Sequence, residues 1–355
     1  MKKTIFISAG SSGGHIFPAI TLANKLKKLN HEVYFVATPS RMEGTILPAH
    51  GFDILPVTSP VVRKPFKGFT KFLFEILHSV KESRVHVKKH KPDMIISFGG
   101  TVSFSVGIVS FLSRIPLFVH EQNAVLGLSN QWISLFAKKL LTQFKIESKL
   151  FQHKIIHVGS PRTSEFIDYQ FNHNVYKSLN LDEKTPLVVF VMGSLGSYTM
   201  QKMIKNMIEA YPNPNYQRLV ITGTRFYEEF KHLNDVSNQT IVLDTISLID
   251  LYPYMNLLVA RAGATTMAEL LGARMPSILI PSPYVTRNHQ FLNANYFLDH
   301  HAAIVLDERK LNEHLLMNQI DDLMNHPQQL LAMRHQLESM SDLSELERIM
   351  ECLPL

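Results

Sequence analysis

Residues 4–18 read TIFISAGSSGGHIFP: an apolar run, a glycine-rich turn, and the start of an amphipathic segment. Thr4–Ser8 is short and apolar at successive positions, the pattern of a strand buried on both faces. The turn Ile7-Ser8-Ala9-Gly10-Ser11-Ser12-Gly13-Gly14-His15 leads into a stretch with Pro18 just inside it and Ile20, Ala23, Leu26 and Leu29 at helical spacing. A second unit of this kind opens at residue 187, where LVVFVMGSLGS places Val191-Met192-Gly193-Ser194-Leu195-Gly196-Ser197 after another apolar run. Glycine lets the backbone approach a phosphate closely, and the N–H groups of a helix start stabilise the anion. Tight strand–helix packing explains a single loop of this sort without any ligand. Two of them, each at the first strand–helix junction of a half-chain, carry more information. Neither is a Walker P-loop, because no Gly-Lys-Ser/Thr follows, and neither fits the dinucleotide fingerprint well.

Outward from these turns, short apolar runs alternate with amphipathic stretches. Strands are predicted at Thr4–Ser8, Glu32–Ala37, Met94–Ser97, Leu117–His120 and Ile155–Val158, then at Leu187–Met192, Arg218–Thr222, Thr240–Leu243, Leu257–Ala260 and Ser277–Ile280. Strand–helix alternation at this spacing predicts an α/β protein with parallel sheets covered on both faces. The pattern stops near Gly159-Ser160-Pro161-Arg162 and restarts after Glu183-Lys184-Thr185-Pro186. Two domains are therefore expected, 1–160 and 161–355, with a helical tail from about Leu311.

The bulk numbers agree with two ordinary cores: 355 residues, 45% of them hydrophobic. The single cysteine, Cys352, excludes an intramolecular disulfide and a thiolate metal cluster, and suits a reducing compartment. Two lysines precede the first apolar run, but that run is shorter than a signal-peptide core and is read as a strand. No uncharged run approaches the roughly 18–20 residues of a membrane span, so a soluble or peripheral protein is expected. The net charge of +6 hides a split: residues 1–160 hold 21 basic against 8 acidic side chains, and residues 161–355 hold 15 against 22. A basic half suits nucleic acid, an anionic membrane surface or a phosphorylated ligand.

The most specific stretch is 261–295, RAGATTMAELLGARMPSILIPSPYVTRNHQFLNAN. Ala262-Gly263-Ala264-Thr265-Thr266 forms a small-residue turn into a helix carrying Glu269, a carboxylate able to accept from two ribose hydroxyls. His289, Gln290 and Asn293 supply donors and acceptors of the kind that polyhydroxylated ligands need. Taken singly, Glu269 also reads as a solvated helix residue, and His289 and Gln290 as a cap.

These residues, with Gly13-Gly14-His15, His120-Glu121-Gln122-Asn123, Gly127, Asn130 and Gly193-Ser194, make the chain resemble the MurG family along essentially its whole length. That family transfers N-acetylglucosamine from UDP-N-acetylglucosamine to lipid I, giving lipid II for peptidoglycan. The resemblance implies the GT-B architecture, two Rossmann-like domains with parallel sheets facing a cleft. It implies that Glu269 binds the ribose hydroxyls, with Ala264, Thr265 and Thr266 along the nucleotide and phosphates and Ile246 near the uracil. Ser194 would contact the diphosphate, and Gln290 and Asn123 the sugar hydroxyls. Ser12, Gly13 and Gly14 would form the loop near the reacting centre, and Arg162 would bind phosphate. The chain departs from the family pattern at Leu195, Thr101 and His289, in the loop around Ile246, and in the short Gly159-Ser160-Pro161-Arg162 spacing.

The implied reaction inverts the anomeric centre. Negative charge grows on the leaving diphosphate, and helix N-termini and an arginine can stabilise it. No D-x-D triad occurs, so neither a metal nor another cofactor is expected. The acceptor proton still needs a base. His15 is the candidate, its alternative role being to cap the helix or orient the loop. Glu121 is a weaker candidate and is equally suited to holding its own turn together.

Residues 63–91 read RKPFKGFTKFLFEILHSVKESRVHVKKHK. Phe66, Phe69 and Phe72 recur at helical spacing, with Lys64, Lys67 and Lys71 beside them. A peripheral helix on an anionic membrane needs this combination; an ordinary helix packing its apolar side inward is the alternative. The expected partners are thus UDP-N-acetylglucosamine, a polyprenyl-pyrophosphate-linked acceptor (lipid I) and an anionic membrane surface at its cytoplasmic face. No RNA-binding pattern accompanies the charge, so no nucleic acid is expected. Rival readings are a UDP-sugar 2-epimerase of the same fold, a transferase acting on another lipid, and a non-catalytic membrane-docking subunit.

Overall fold

The computed structural model describes residues 1–10, 12–59, 69–167, 169–193, 196–236 and 238–355, with side chains from Phe72 onward in the third stretch. The chain forms two units: Met1–Ser164 together with Ser344–Leu355, and Glu165–Leu343. In chain order the first contains β1 (Thr4–Ala9), α1 (Gly13–Lys28), β2 (Glu32–Ala37), α2 (Met42–Ala49), β3 (Ile54–Pro56), α3 (Phe69–His90), β4 (Met94–Gly99), α4 (Thr101–Ser113), β5 (Leu117–Glu121), α5 (Leu128–Ile133), β6 (Lys139–Thr142) and β7 (Ile155–His157). Its sheet is parallel in the order β3-β2-β1-β4-β5-β6-β7. Side chains alternate across each strand, and both faces are covered. Ile5 and Ile7 of β1 pack with Ile16, Ala19, Ala23 and Leu26 of α1, whereas Phe6 joins Val102, Val106 and Val109 of α4 on the other face.

The second unit contains α6 (His173–Lys177), β8 (Leu187–Val191), α7 (Tyr198–Ala210), β9 (Gln217–Ile221), α8 (Tyr227–Phe230), β10 (Thr240–Leu243), β11 (Leu257–Ala260), α9 (Ala264–Ala273), β12 (Ser277–Leu279), α10 (His289–Asp299), β13 (Ile304–Val305), α11 (Glu313–Asn325) and α12 (Pro327–Met340). Its parallel sheet runs β10-β9-β8-β11-β12-β13. Val188 and Phe190 pack against Met200 and Ile204 of α7 and Leu316 and Ile320 of α11. Both sheets build outward from their first strand, return, and continue on the other side. The order reverses between β1 and β4 and between β8 and β11, and in such sheets ligands bind at the carboxyl ends of the strands flanking that point.

Two α/β units of Rossmann type are what the alternation predicts. The division differs from the expected 160/161: the first unit runs on through Ser164, and the last twelve residues return to it. That return is made by α13 (Glu345–Cys352), which buries Ile349 in the same cluster as β1 and α1, followed by Leu353. The assignment of the whole tail to the second half is corrected accordingly. Strands β3, β6 and β13, of three, four and two residues, are not among the predicted ones. Pro18 stands in the second turn of α1 rather than its first. Among the described residues no helix is long and apolar enough to cross a membrane.

Candidate functional site

In the first unit the carboxyl edge of the sheet gathers the loops after β1, β4, β5 and β7. His15 is the third residue of α1, whose first turn begins at Gly13 after Ser12; the Ser12 carbonyl accepts from the His15 and Ile16 amides at 3.1 and 3.2 Å. Its ring edge lies over Gly99, which closes β4 with φ +105°. A Cβ there would stand 3.1 Å from His15 Cε1, so the positive φ favours glycine and a side chain would also crowd the ring. His15 Nδ1 lies 2.7 Å from Gln122 Oε1. Gln122 Nε2 in turn lies 2.7 Å from the His120 carbonyl and 3.0 Å from His120 Nδ1. His120 Nε2 is 2.9 Å from the Gly159 carbonyl. His120 is 1% exposed, and burial pushes its pKa down to about 4.

Glu121, buried beside it, accepts from the Asn123 backbone N–H and Nδ2 at 3.1 Å each, from the Gly127 N–H at 2.8 Å and from Asn130 Nδ2 at 2.9 Å. A carboxylate saturated by four donors braces its turn, and of the two roles read for Glu121 this is the one it performs. Asn123, expected at the sugar, spends its amide nitrogen on that brace. Arg162 follows β7 at the same edge, its guanidinium 5.4 Å from the centre of the Phe17 ring. Ser12, Gly13, Gly14, His15, Asn123 and Arg162 are thus brought to one edge.

In the second unit, β11 ends in Arg261-Ala262-Gly263, and α9 starts at Ala264 with Gly263 as its cap. The first-turn amides of Thr265 and Thr266 face out of the helix end, where the axial dipole is positive. One face along, Glu269 is nearly buried, and its Oε2 accepts from the Tyr252 hydroxyl at 3.2 Å. Gln290, in the first turn of α10, accepts from the Ser282 N–H at 2.9 Å through Oε1. Its neighbour Asn293 donates to the Ala262 carbonyl at 3.1 Å, tying α10 to the turn before α9. His289 bonds back to the Thr286 carbonyl as a local cap. Ile246 lies in the loop after β10, partly exposed. Ala264, Thr265, Thr266, Glu269, Gln290 and Ile246 therefore all lie beyond the carboxyl ends of β10, β11 and β12.

Sequence reading gave no role to Arg261, which is 6% exposed. Its Nη1 donates to the Ile280 carbonyl at 3.0 Å and to Glu308 at 2.8 Å, and its Nη2 donates to Ser197 Oγ at 2.8 Å. One guanidinium thus joins the loops after β8, β12 and β13 around the start of α9. Tyr252 and Gln122 were also passed over. The signal for Arg261 is a charge directly after a buried strand, and that for Gln122 is its place in the His120-Glu121-Gln122-Asn123 stretch; Tyr252 has none.

Ser194, Lys64, Phe66 and Lys67 lie outside the described residues, as do the side chains of Phe69 and Lys71. From Phe72 onward α3 is two-faced. Ile76, Ser79, Ser83 and Val87 are buried, whereas Phe72 is half-buried. The exposed apolar side chains are Leu73, Phe74, Leu77 and Val85, with Phe74 71% exposed, and Lys81, Arg84, Lys88 and Lys89 share their side of the helix. The apolar strip open to solvent is therefore displaced from Phe72 toward Phe74 and Leu77.

The sequence matches the glycosyltransferase family 28 N-terminal domain over residues 5–142 and the family 28 C-terminal domain over residues 187–347. It is 34% identical over 338 residues, 93% of each chain, to a UDP-N-acetylglucosamine–N-acetylmuramyl-(pentapeptide) pyrophosphoryl-undecaprenol N-acetylglucosamine transferase of Bacillus thuringiensis (strain Al Hakam). Among solved structures, Acinetobacter baumannii MurG superposes with a TM-score of 0.78 at 24% identity, covering 99% of both chains. A putative UDP-N-acetylglucosamine 2-epimerase from Listeria monocytogenes superposes at 0.71 with 12% identity, covering 99% of this chain and 95% of that one. The fold is thus common to both chemistries, and the full-length identity to a transferase is what separates them.

Proposed function

This chain belongs to glycosyltransferase family 28, in its MurG branch, and from that premise we infer that it transfers N-acetylglucosamine from UDP-N-acetylglucosamine to the N-acetylmuramyl residue of lipid I, a step of peptidoglycan synthesis. The observation that carries this reading is the full-length match to a transferase of that specificity.

The donor is held by the second unit. Glu269 accepts hydrogen bonds from the two ribose hydroxyls, its second partner Tyr252 fixing the carboxylate. The amides of Thr265 and Thr266 and the positive end of α9 meet the diphosphate, with Ala264 and Ser194 beside them. Gln290, whose oxygen is engaged by Ser282, offers its amide nitrogen to a sugar hydroxyl. Ile246 lies at the uracil. In the reaction the acceptor oxygen bonds to the anomeric carbon with inversion, and its proton passes to His15 Nε2. The bond from that carbon to the β-phosphate oxygen breaks, both electrons leaving with UDP. Donors already aimed at the diphosphate stabilise the charge as it grows. Ser12, Gly13 and Gly14 form the loop that carries His15, and Arg162 serves an acceptor phosphate.

The acceptor is anchored in a bilayer, so the first unit works at the membrane's cytoplasmic face. Its exposed strip on α3, Leu73, Phe74 and Leu77 followed by Lys81, Arg84, Lys88 and Lys89, has the apolar and basic composition of a peripheral contact.

The direct check is on Glu269. Replacing it with alanine removes the acceptor for two hydroxyls, each hydrogen bond to a charged group being worth about 1.5–3 kcal/mol. UDP affinity in calorimetry should fall at least about tenfold with the fold intact. Unchanged UDP binding would remove the donor site assigned here.

A further inference from the structure

The reading of His15 as base leaves open what holds its ring in the state a base requires. Neutral imidazole carries one N–H, and only the other nitrogen can accept a proton. The hydrogen-bond chain running from Gly159 to His15 settles which is which. The Gly159 carbonyl can only accept, so His120 Nε2, 2.9 Å away, carries a hydrogen. His120 is fully buried and neutral, so its Nδ1 is a bare lone pair. Both that lone pair and the His120 carbonyl lie within 3.0 Å of one end of the Gln122 amide. Two acceptors demand a donor, so that end is the NH₂ and the amide cannot be turned over. Its oxygen then faces His15 Nδ1 at 2.7 Å and can only accept. His15 Nδ1 must donate, and Nε2 is left bare.

We propose that Gln122 and His120 are positioning residues that lock His15 as its Nδ1–H tautomer, so that the Nε2 lone pair is the proton acceptor presented to the substrate hydroxyl. Every hydrogen in the chain is dictated by the fixed acceptor at its far end, the backbone carbonyl of Gly159. Gly159 itself has φ +81°, and a Cβ there would stand 2.0 Å from Glu345 Cγ of α13, so the returning C-terminal helix packs directly against the residue whose carbonyl starts the chain. At the near end Gly99 leaves room for the ring, since a Cβ there would stand 3.1 Å from His15 Cε1. An amide in this position fixes the tautomer without adding a charge beside the base. A carboxylate in its place would set an acceptor against the His120 carbonyl and the bare His120 Nδ1.

This inference rests on His15 as the base, and its test separates the two. The full chain labelled with ¹⁵N-histidine is measured by NMR at neutral pH, with His15 identified by the signals lost in His15→Ala. The wild type should show His15 protonated at Nδ1 and bare at Nε2. In Gln122→Met that tautomer should be lost to a mixture. Its kcat should fall at least about tenfold, within the range of a general-base contribution, while KM for UDP-N-acetylglucosamine stays within about twofold. Gln122→Glu puts an acceptor where the His120 carbonyl and the bare His120 Nδ1 require a donor, so it should not restore turnover. A wild-type His15 protonated at Nε2, or a Gln122→Met protein with wild-type tautomer and turnover, would overturn the lock. The wild-type spectrum decides even if the methionine variant does not fold. If instead His15→Ala turns over like the wild type while the Nδ1–H tautomer is seen, the lock stands and the base assignment falls.

Discussion

His120 shows how one buried ring couples stability to pH. Burial lowers its pKa from 6.5 to about 4. The unfolded chain binds a proton on this ring below about pH 6.5, and the folded chain does so only near pH 4. Between those values the unfolded state holds more protons, so the folded state loses stability as pH falls and this group takes no further toll below the folded value. The full effect is on the order of 3 kcal/mol. His157 is displaced in the same direction by burial, so the useful comparison is with a variant. Urea unfolding at about pH 7 and about pH 5 should show a larger loss in the wild type than in His120→Gln; equal losses would place the pH dependence elsewhere. His15→Ala should lower turnover by about 10²–10⁴-fold with UDP binding retained, whereas a joint decline would make it a loop-forming residue. The places of His15 and Glu269, each in the helix that follows a small-residue turn, could be read in the sequence because each stands in a local motif. The contacts of Gln122 and Tyr252 could not: Gln122 meets a ring 107 positions away and Tyr252 a carboxylate 17 positions away, and no spacing announces either contact. Asn123 was read for its amide alone, and the carboxylate next to it claims that amide.

At the scale of elements, periodicity marked the helices and most of the strands, and it gave no sign of the short edge strands β3 and β13. In α3 it marked the helix; of the residues named for the membrane contact only Phe72 has a described side chain. Phe72 is half-buried, and the solvent side begins with Leu73, Phe74 and Leu77, because Ile76, Ser79, Ser83 and Val87 are the residues turned inward. A Phe74→Ser, Leu77→Ser double variant should therefore sediment poorly with anionic vesicles while keeping wild-type UDP affinity; sedimentation like the wild type would move the membrane contact off this strip. The helix α13 was legible as a helix but not as a part of the first unit, since Ile349 and Leu353 only identify their partners once β1 and α1 are in place. Ile349→Ala should cost about 2–5 kcal/mol in chemical unfolding, as large-to-small changes in a packed core do. A cost under about 0.5 kcal/mol would mean that α13 rests on the unit without supporting it.

Over the whole molecule the charge follows the division into units. The first unit carries 23 basic against 11 acidic side chains and the second 13 against 19. The proposal of a membrane-facing first unit and a donor-binding second unit makes use of that contrast, and salt tests it: vesicle association should weaken as ionic strength rises through the range where the Debye length falls below about 10 Å, with donor affinity following far less. The fold was legible because two glycine turns head two runs of strand–helix alternation. The activity was legible only through residues that resemble a family, since the same fold serves a putative 2-epimerase. The central claim is transfer to a lipid-linked acceptor, and one measurement addresses it directly. The protein is incubated with UDP-N-acetylglucosamine radiolabelled in the sugar, with and without short-chain lipid I, and the labelled products are separated. Label should move into the lipid fraction as a disaccharide-linked product, one UDP being released per sugar transferred, and only when the acceptor is present. Label recovered as free hexosamine with UDP released regardless of acceptor, or none transferred at all, would contradict the account.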